Sequence, residues 1–276
     1  MSAVAICTDS SALFPAGVAE RLGVIVVPIA ITLDGAPFDE PRHTLDDFYT
    51  RLSEGAQVTT SQPSPGSFLD AYARAAAGGA GKALSIHLDA RVSGTANSAE
   101  LAVREAPISV TVVDTRTVSF GVGLCVRAAA AAIAAGASAG EAAAAAARVG
   151  ATLRNVFVAQ SEHTGRLPAA AGWSLLEFRN GKAEPVGARD NLGEAIDAMV
   201  ARVFDEDRTV GAAVGHAGAS TKPAADALAL SLATLSQVVD VERYRVGPAV
   251  GAHTGPLSFG AFWWPSSSTP AFMALR

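Results

Sequence analysis

The residues that could do chemistry gather in three short runs: Ser93-Gly94-Thr95, Thr59-Thr60-Ser61 with Gln62-Pro63-Ser64 behind it, and His253 within Gly251-Ala252-His253-Thr254-Gly255-Pro256. The Ser93 run follows an apolar, strand-like stretch at residues 83–88 and opens into a helical pattern. The first N–H groups of a helix lack internal partners and carry partial positive charge, so such a turn suits an anion. Ser93 and Thr95 add hydroxyl donors, and Gly94 permits close approach to the backbone. Ser61 belongs to a second small-hydroxyl turn of the same character. Each run also reads as an ordinary helix cap or loop, the commoner role of small hydroxyl residues. His253, in a loop punctuated by Gly and Pro, is a structural histidine or a charged donor to a carboxylate. Arg166 is by default a solvated surface charge, and Asp9 after the first strand is a cap.

Hydrolytic chemistry is the enzymatic alternative. Ser93, His253 and Asp114 can be nominated as nucleophile, base and orienting acid. The G-x-S-x-G elbow is missing, however, since Ser93 sits in Arg91-Val92-Ser93-Gly94-Thr95. No G-x-x-x-x-G-K-[ST] loop, no G-x-G-x-x-G after the first strand and no metal-ligand spacing is present.

The elements that must position these residues alternate between strand and helix. Apolar runs at residues 3–7, 24–31, 83–88 and 108–113 read as strands, the second with Pro28 at an edge or bulge. Thr44, Ser64-Pro65 and the Ser138/Glu141 pair mark helix starts, and alanine-rich helices follow residue 121. Asp34-Gly35 and Asn180-Gly181 read as hairpin turns. Residues 192–204 and 224–235 read as helices, 210–214 and 238–244 as strands, and 250–264 as two short strands about a turn. The pattern predicts an α/β protein of two domains. Residues 1–157 form a mainly parallel layered sheet with flanking helices, and residues 158–276 a smaller mixed α/β domain.

Composition narrows the class. The chain has 276 residues and a net charge of −5, and no dense Lys/Arg stripe is present, which argues against a nucleic-acid partner. Hydrophobic residues make up 50% with a mean hydropathy of +0.29, but the excess is alanine, so no transmembrane helix is expected. The N-terminus enters a strand pattern directly and does not look like a signal peptide. Cys7 and Cys125 lie in separate apolar runs, as isolated buried thiols of a reducing compartment do. The expectation is a cytoplasmic protein.

Taken in order, the runs resemble the DegV family, bacterial fatty-acid-binding proteins of the fatty acid kinase system. The matching pieces are Thr8-Asp9-Ser10, the V-V-P-I-A-I run with Asp34-Gly35, and Thr60-Ser61-Gln62-Pro63-Ser64. They continue with Val92-Ser93-Gly94-Thr95-Ala96-Asn97-Ser98-Ala99, Val113-Asp114-Thr115, Gly165-Arg166 and Gly251-Ala252-His253-Thr254-Gly255-Pro256. The resemblance implies two α/β domains with the ligand between them. It implies a long-chain fatty acid in an apolar tunnel and no other cofactor. The carboxylate would be held by Thr60, Ser93, Gly94 and His253, with Ser61 and Thr95 beside them and Arg166 near the headgroup end. It also implies no catalysis by the chain itself, a separate fatty acid kinase subunit as partner, a place in phospholipid metabolism and at most transient membrane contact. Where the family has a long apolar helix after its G-R motif, this chain has only residues 167–172 before Trp173. Binding of another small amphiphile, and a Ser93 esterase, therefore stand as the alternatives.

Overall fold

The computed structural model describes residues 3–15, 17–38, 44–159 and 173–268. The chain begins with β1 (Ala3–Asp9), α1 (Val18–Arg21) and β2 (Ile25–Val27), then breaks at Pro28 into β3 (Ala30–Leu33), β4 (Ala36–Pro37), α2 (Leu45–Ser53) and β5 (Val58–Ser61). It continues as α3 (Pro65–Ala77), β6 (Ala80–His87), α4 (Thr95–Val103), β7 (Ser109–Asp114), α5 (Phe120–Ala134) and α6 (Ala139–Thr152). The remainder is β8 (Arg154–Val158), β9 (Trp173–Arg179), β10 (Lys182–Arg189), α7 (Leu192–Phe204), β11 (Val210–His216), α8 (Lys222–Ala233), β12 (Val238–Arg245), α9 (Pro248–Thr254) and β13 (Phe259–Pro265).

Two compact units result, both α/β. The first comprises the chain up to Ile29 together with Ser61–Thr152, and the second Ala30–Thr60 together with Leu153–Ser268. The expected contiguous division at residues 157 and 158 differs from this one in where it puts residues 30–60 and 153–157. The reason is a set of contacts within the second unit: the Tyr49 hydroxyl donates to the Val246 carbonyl at 2.8 Å, and Arg245 pairs with Asp46 at 2.5 Å. Tyr49 is almost wholly buried there.

In the first unit the strands lie in the order β2-β1-β6-β7, all parallel. Buried parallel strands read as continuous apolar runs, as residues 3–7 and 83–88 do. α3 and α4 contribute Phe68, Ala71, Tyr72, Ala99 and Ala102 to one core with Cys7 and Val27. A fully buried phenylalanine such as Phe68 contributes about 1.5–3 kcal/mol. Ser64 caps α3 by accepting the Ser67 N–H at 3.1 Å, with Pro65 at the first helical position. The Ser138/Glu141 capping box forms as expected, its Ser138 N–H reaching Glu141 at 2.8 Å. The order places a topological switch between β1 and β6, since the chain leaves β1 for β2 on one side and later returns on the other. Crevices at such a point, outside the carboxyl ends of the strands, are where open α/β sheets bind ligands.

The second unit has a mixed six-stranded sheet, β10-β9-β8-β13-β11-β12, in which only β11 and β12 pair in parallel among the pairings described. Alternate residues Val210, Ala212 and Val214 of β11 and Phe259, Ala261 and Trp263 of β13 join Ile196 and Met199 of α7 and Leu228 and Leu232 of α8 in its core. Asn180 and Gly181 turn β9 into β10 with φ of 49° and 77°, the left-handed pair that a two-residue hairpin needs. β3, β4 and β5 form a separate three-stranded sheet. Two expectations are corrected. Thr59-Thr60-Ser61 belongs to strand β5 and is no turn, because its β-branched residues pair with β3. Residues 248–254 are helical where a strand was expected. Pro248 sits at the first helical position, small Ala249, Gly251 and Ala252 are buried, and Gly255 at φ 78° ends the helix. Only β13 of the two expected strands forms.

Candidate functional site

The Ser93 turn lies on the loop that leaves the switch-side end of β6. Asp89 organises this loop. Its buried carboxylate accepts the Arg91 N–H at 2.9 Å and the Arg91 guanidinium at 2.9 and 2.6 Å. Burial pushes the Asp89 carboxyl up, but Arg91 outweighs it and holds the group below the usual carboxylate range. The Asp89 carbonyl accepts the N–H groups of Val92 and, at 3.4 Å, Ser93. Gly94 is the N-cap of α4 and Thr95 its first residue, so the helix start falls where the sequence pattern puts it.

Ser93 Oγ and Thr95 Oγ1 are 2.8 Å apart, and the Thr95 N–H reaches Ser93 Oγ at 3.3 Å. One hydroxyl donates to the other, which leaves one hydroxyl hydrogen to donate elsewhere. Ser93 and Gly94 are half-buried, Thr95 fully buried and Ser61 exposed. The space over Gly94 is not open backbone, as the sequence suggested. A Cβ there would overlap the Gln62 carboxamide, whose Nε2 donates to Ser98 Oγ at 3.1 Å. Gln62 thus joins the T-S-Q-P and S-G-T runs. The readable signal was a glycine flanked by hydroxyl residues, but a partner for it cannot be read from spacing.

In the second unit, Thr60 Oγ1 lies 3.0 Å from His253 Nε2, across 193 positions of sequence. Both side chains are half-buried. With the ring proton on Nε2, histidine donates to Thr60 Oγ1, and the threonine hydrogen is left to donate to an anion. With it on Nδ1, Thr60 donates to the ring. His253 occupies the last turn of α9, where a helix C-terminus favours positive charge. Gly251, two residues earlier, is fixed by packing: a Cβ would overlap the Tyr49 phenol, which is held by its bond to Val246.

A third polar group escaped the sequence reading. Asp9 ends β1 and His87 ends β6, and Asp9 Oδ2 lies 2.9 Å from His87 Nδ1. His87 Nε2 contacts Ser85 Oγ at 2.7 Å, and the Tyr72 hydroxyl donates to the same oxygen at 2.9 Å. The Asp9 carboxylate also accepts the Ser11 N–H at 3.0 Å, the Ser11 hydroxyl and the Leu88 N–H at 3.3 Å. Asp9, Ser85, His87 and Tyr72 are all 0% exposed, which denies any substrate access to a Ser–His–Asp connectivity. Burial pushes the Asp9 carboxyl up, yet the hydrogen bonds from His87 and Ser11 prevail and hold it low. The expected cap role of Asp9 covers only its Ser11 bonds. Two polar residues at alternate positions of a buried strand, Ser85 and His87, were the available signal.

The nominated hydrolytic set has other bonds. Ser93 Oγ meets Thr95, His253 meets Thr60, and Asp114 Oδ1 accepts the N–H groups of Arg116 at 2.9 Å and Ala90 at 3.3 Å. Arg166 and residues 167–172 lie outside the described residues. Both cysteines are buried; burial pushes the Cys7 thiol up to about 12, and Cys125 upward as well. Among the described residues no helix is long and apolar enough to cross a membrane, and no three His, Cys, Asp or Glu side chains are grouped to hold a metal.

Comparison with known proteins adds independent observations. Residues 3–266 match the model of the DegV family of uncharacterised proteins. A DegV domain-containing protein of Streptomyces coelicolor is 35% identical over 271 residues, covering 92% of this chain and 95% of the relative. Among solved structures, a fatty-acid-binding DegV family protein from Thermus thermophilus superposes with a TM-score of 0.87 at 29% identity, over 96% of this chain and 100% of that one. A DegV lipid-binding protein from Thermotoga maritima gives 0.85 at 25% identity, over 96% and 98%.

Proposed function

The chain belongs to the DegV family, and from that premise and the geometry above we propose that it binds a long-chain fatty acid by its carboxylate. The observation that carries this reading is the Thr60–His253 hydrogen bond, which unites two of the polar runs, neither equipped for catalysis alone. Thr60 and His253 supply donors in the second unit, and Ser93, Gly94 and Thr95 present donors of the same kind at the start of α4; Ser61 and Arg166 are the remaining residues assigned to carboxylate recognition. A carboxylate taken out of water needs several such donors, and each acyl CH₂ that is buried contributes about 0.8 kcal/mol. The related Thermus thermophilus protein binds fatty acid, and the Thermotoga maritima protein binds lipid. The protein acts as a carrier in the cytoplasm. It presents the carboxylate to a separate fatty acid kinase and performs no chemistry itself, in keeping with Ser93 pairing to a hydroxyl.

Native mass spectrometry of the purified protein, followed by solvent extraction, is expected to yield a fatty acid. The delipidated protein is expected to take up palmitic, stearic or oleic acid. Ser93→Ala is expected to weaken that uptake by about 1–3 kcal/mol, the worth of a hydrogen bond to a charged group. An empty protein that takes up none of the three acids would overturn the proposal, and extraction of a different amphiphile would redirect it. Hydrolysis of chromogenic esters that disappears in Ser93→Ala would establish the esterase instead.

A further inference from the structure

We infer that the buried Asp9–His87 pair is a positioning device for the loop that carries Ser93. The inference rests on the reading of Ser93 as a headgroup donor. The Asp9 carboxylate takes two donors from the turn after β1, both on Ser11, and two from the end of β6, His87 Nδ1 and the Leu88 N–H. One side chain therefore ties together the two chain segments that flank the topological switch. Leu88 is the first residue after β6, and the loop from it runs through Asp89 and Ser93 into α4. The same strand end is latched from the residue that follows β7, because the His87 carbonyl accepts both the N–H and the hydroxyl of Thr115, at 3.0 and 2.8 Å.

Tyr72 donates to Ser85. With the ring proton on Nδ1, Ser85 donates to His87 Nε2 and His87 Nδ1–H donates to Asp9. That tautomer is the one in which the row of hydroxyls feeds the carboxylate. None of the four side chains is exposed, so none can touch a ligand; whatever they contribute passes through the loop. Buried polar pairs are poor sources of net stability compared with apolar residues of similar volume, and a use open to them is to specify one geometry. The Leu88 bond is the longest of the four and the first to yield when a donor to Asp9 is lost. A site whose donors must be ordered on binding loses affinity by that ordering cost.

The two amide substitutions of His87 separate positioning from simple filling. Asparagine places an N–H near the Nδ1 position, facing Asp9, whereas glutamine reaches the Nε2 position, facing Ser85. Delipidated full-length protein titrated with cis-parinaric acid is expected to bind about tenfold more weakly as His87→Gln, and within about threefold of the original as His87→Asn. Amide hydrogen exchange of the ligand-free protein is expected to quicken at residues 88–94 in His87→Gln alone. Equal behaviour of the two variants in exchange would overturn the inference. Should the unsubstituted protein not bind cis-parinaric acid, the fatty-acid reading fails. The exchange contrast then decides the loop's ordering separately: its presence supports the device with another ligand, and its absence overturns it. If His87→Gln does not fold, Ser85→Ala, which frees the tautomer, takes its place, and unchanged exchange at residues 88–94 would then overturn the inference.

Discussion

Two histidines of this molecule sit in opposite settings. His87 is wholly buried at the end of a parallel strand, with one ring nitrogen on a carboxylate and the other on a hydroxyl. His253 is half-buried on the last turn of a short helix, set against a threonine hydroxyl. The chemistry of the side chain is the same in both places. Access and neighbours separate them: the first is closed to any ligand, and the second is partly open. A buried carboxylate beside imidazole is no sign of catalysis when no substrate can reach it. A half-buried histidine against a hydroxyl is the better candidate for recognition.

The sharpest way to break this contrast is to delete both rings. His87→Ala removes one partner of a buried pair and is expected to lower the unfolding free energy by about 3–5 kcal/mol in urea denaturation. His253→Ala is expected to change stability by less than about 1 kcal/mol and to lower fatty-acid affinity by about 1–3 kcal/mol. Similar stability losses in the two variants would erase the distinction. Acid probes the same frame without mutation. The Asp9 carboxyl is held below the usual range in the folded protein, and an unfolded aspartate titrates near pH ~3.9. Its contribution is therefore complete above that value and disappears as the pH falls through the lowered folded value. Stability measured against pH is expected to drop in acid, and Asp9→Asn is expected to flatten that part of the curve. An unaltered acid limb would mean that another carboxylate governs it.

Much of this frame was legible in the sequence, and the failures have physical causes. Capping residues act over three or four positions, so Thr44 with Asp47 and Ser138 with Glu141 announce their helices directly. The Asp34-Gly35 and Asn180-Gly181 turns are equally local, with all four residues at positive φ. The run 24–31 is locally a single strand, yet Pro28 cannot donate to a ladder, and the two halves enter different sheets. That break sends residues 30–60 to the second unit, where Tyr49 and Arg245 hold them, and no pattern at the break announces the distant partners. At the candidate site, residue types showed where donors lie. Gln62 over Gly94 and His87 against Asp9 depend on strand order and register, which single-chain spacing does not contain.

The motif glycines extend the comparison to the backbone, with smaller effects. At Gly251 a methyl group would meet the Tyr49 phenol, a rigid ring that is 2% exposed and bonded to Val246. The ring has no room to yield, so Gly251→Ala is expected to cost about 1–3 kcal/mol as an overpacked core does. At Gly94 the same methyl meets the end of Gln62, an exposed and flexible side chain. Gln62 can swing away at the expense of its bond to Ser98, so Gly94→Ala is expected to cost no more than about 1 kcal/mol of stability. Its φ of −74° is ordinary for any residue, and no backbone strain adds to the loss. Gly94→Ala would instead show itself in lipid affinity, because the methyl group stands at the start of α4 beside Ser93. Unfolding curves for the two variants, with cis-parinaric acid titrations beside them, test the ranking. A Gly94→Ala protein destabilised as much as Gly251→Ala would mean that Gln62 is held as firmly as Tyr49, and that the Ser93 turn belongs to the frame as well as to the site.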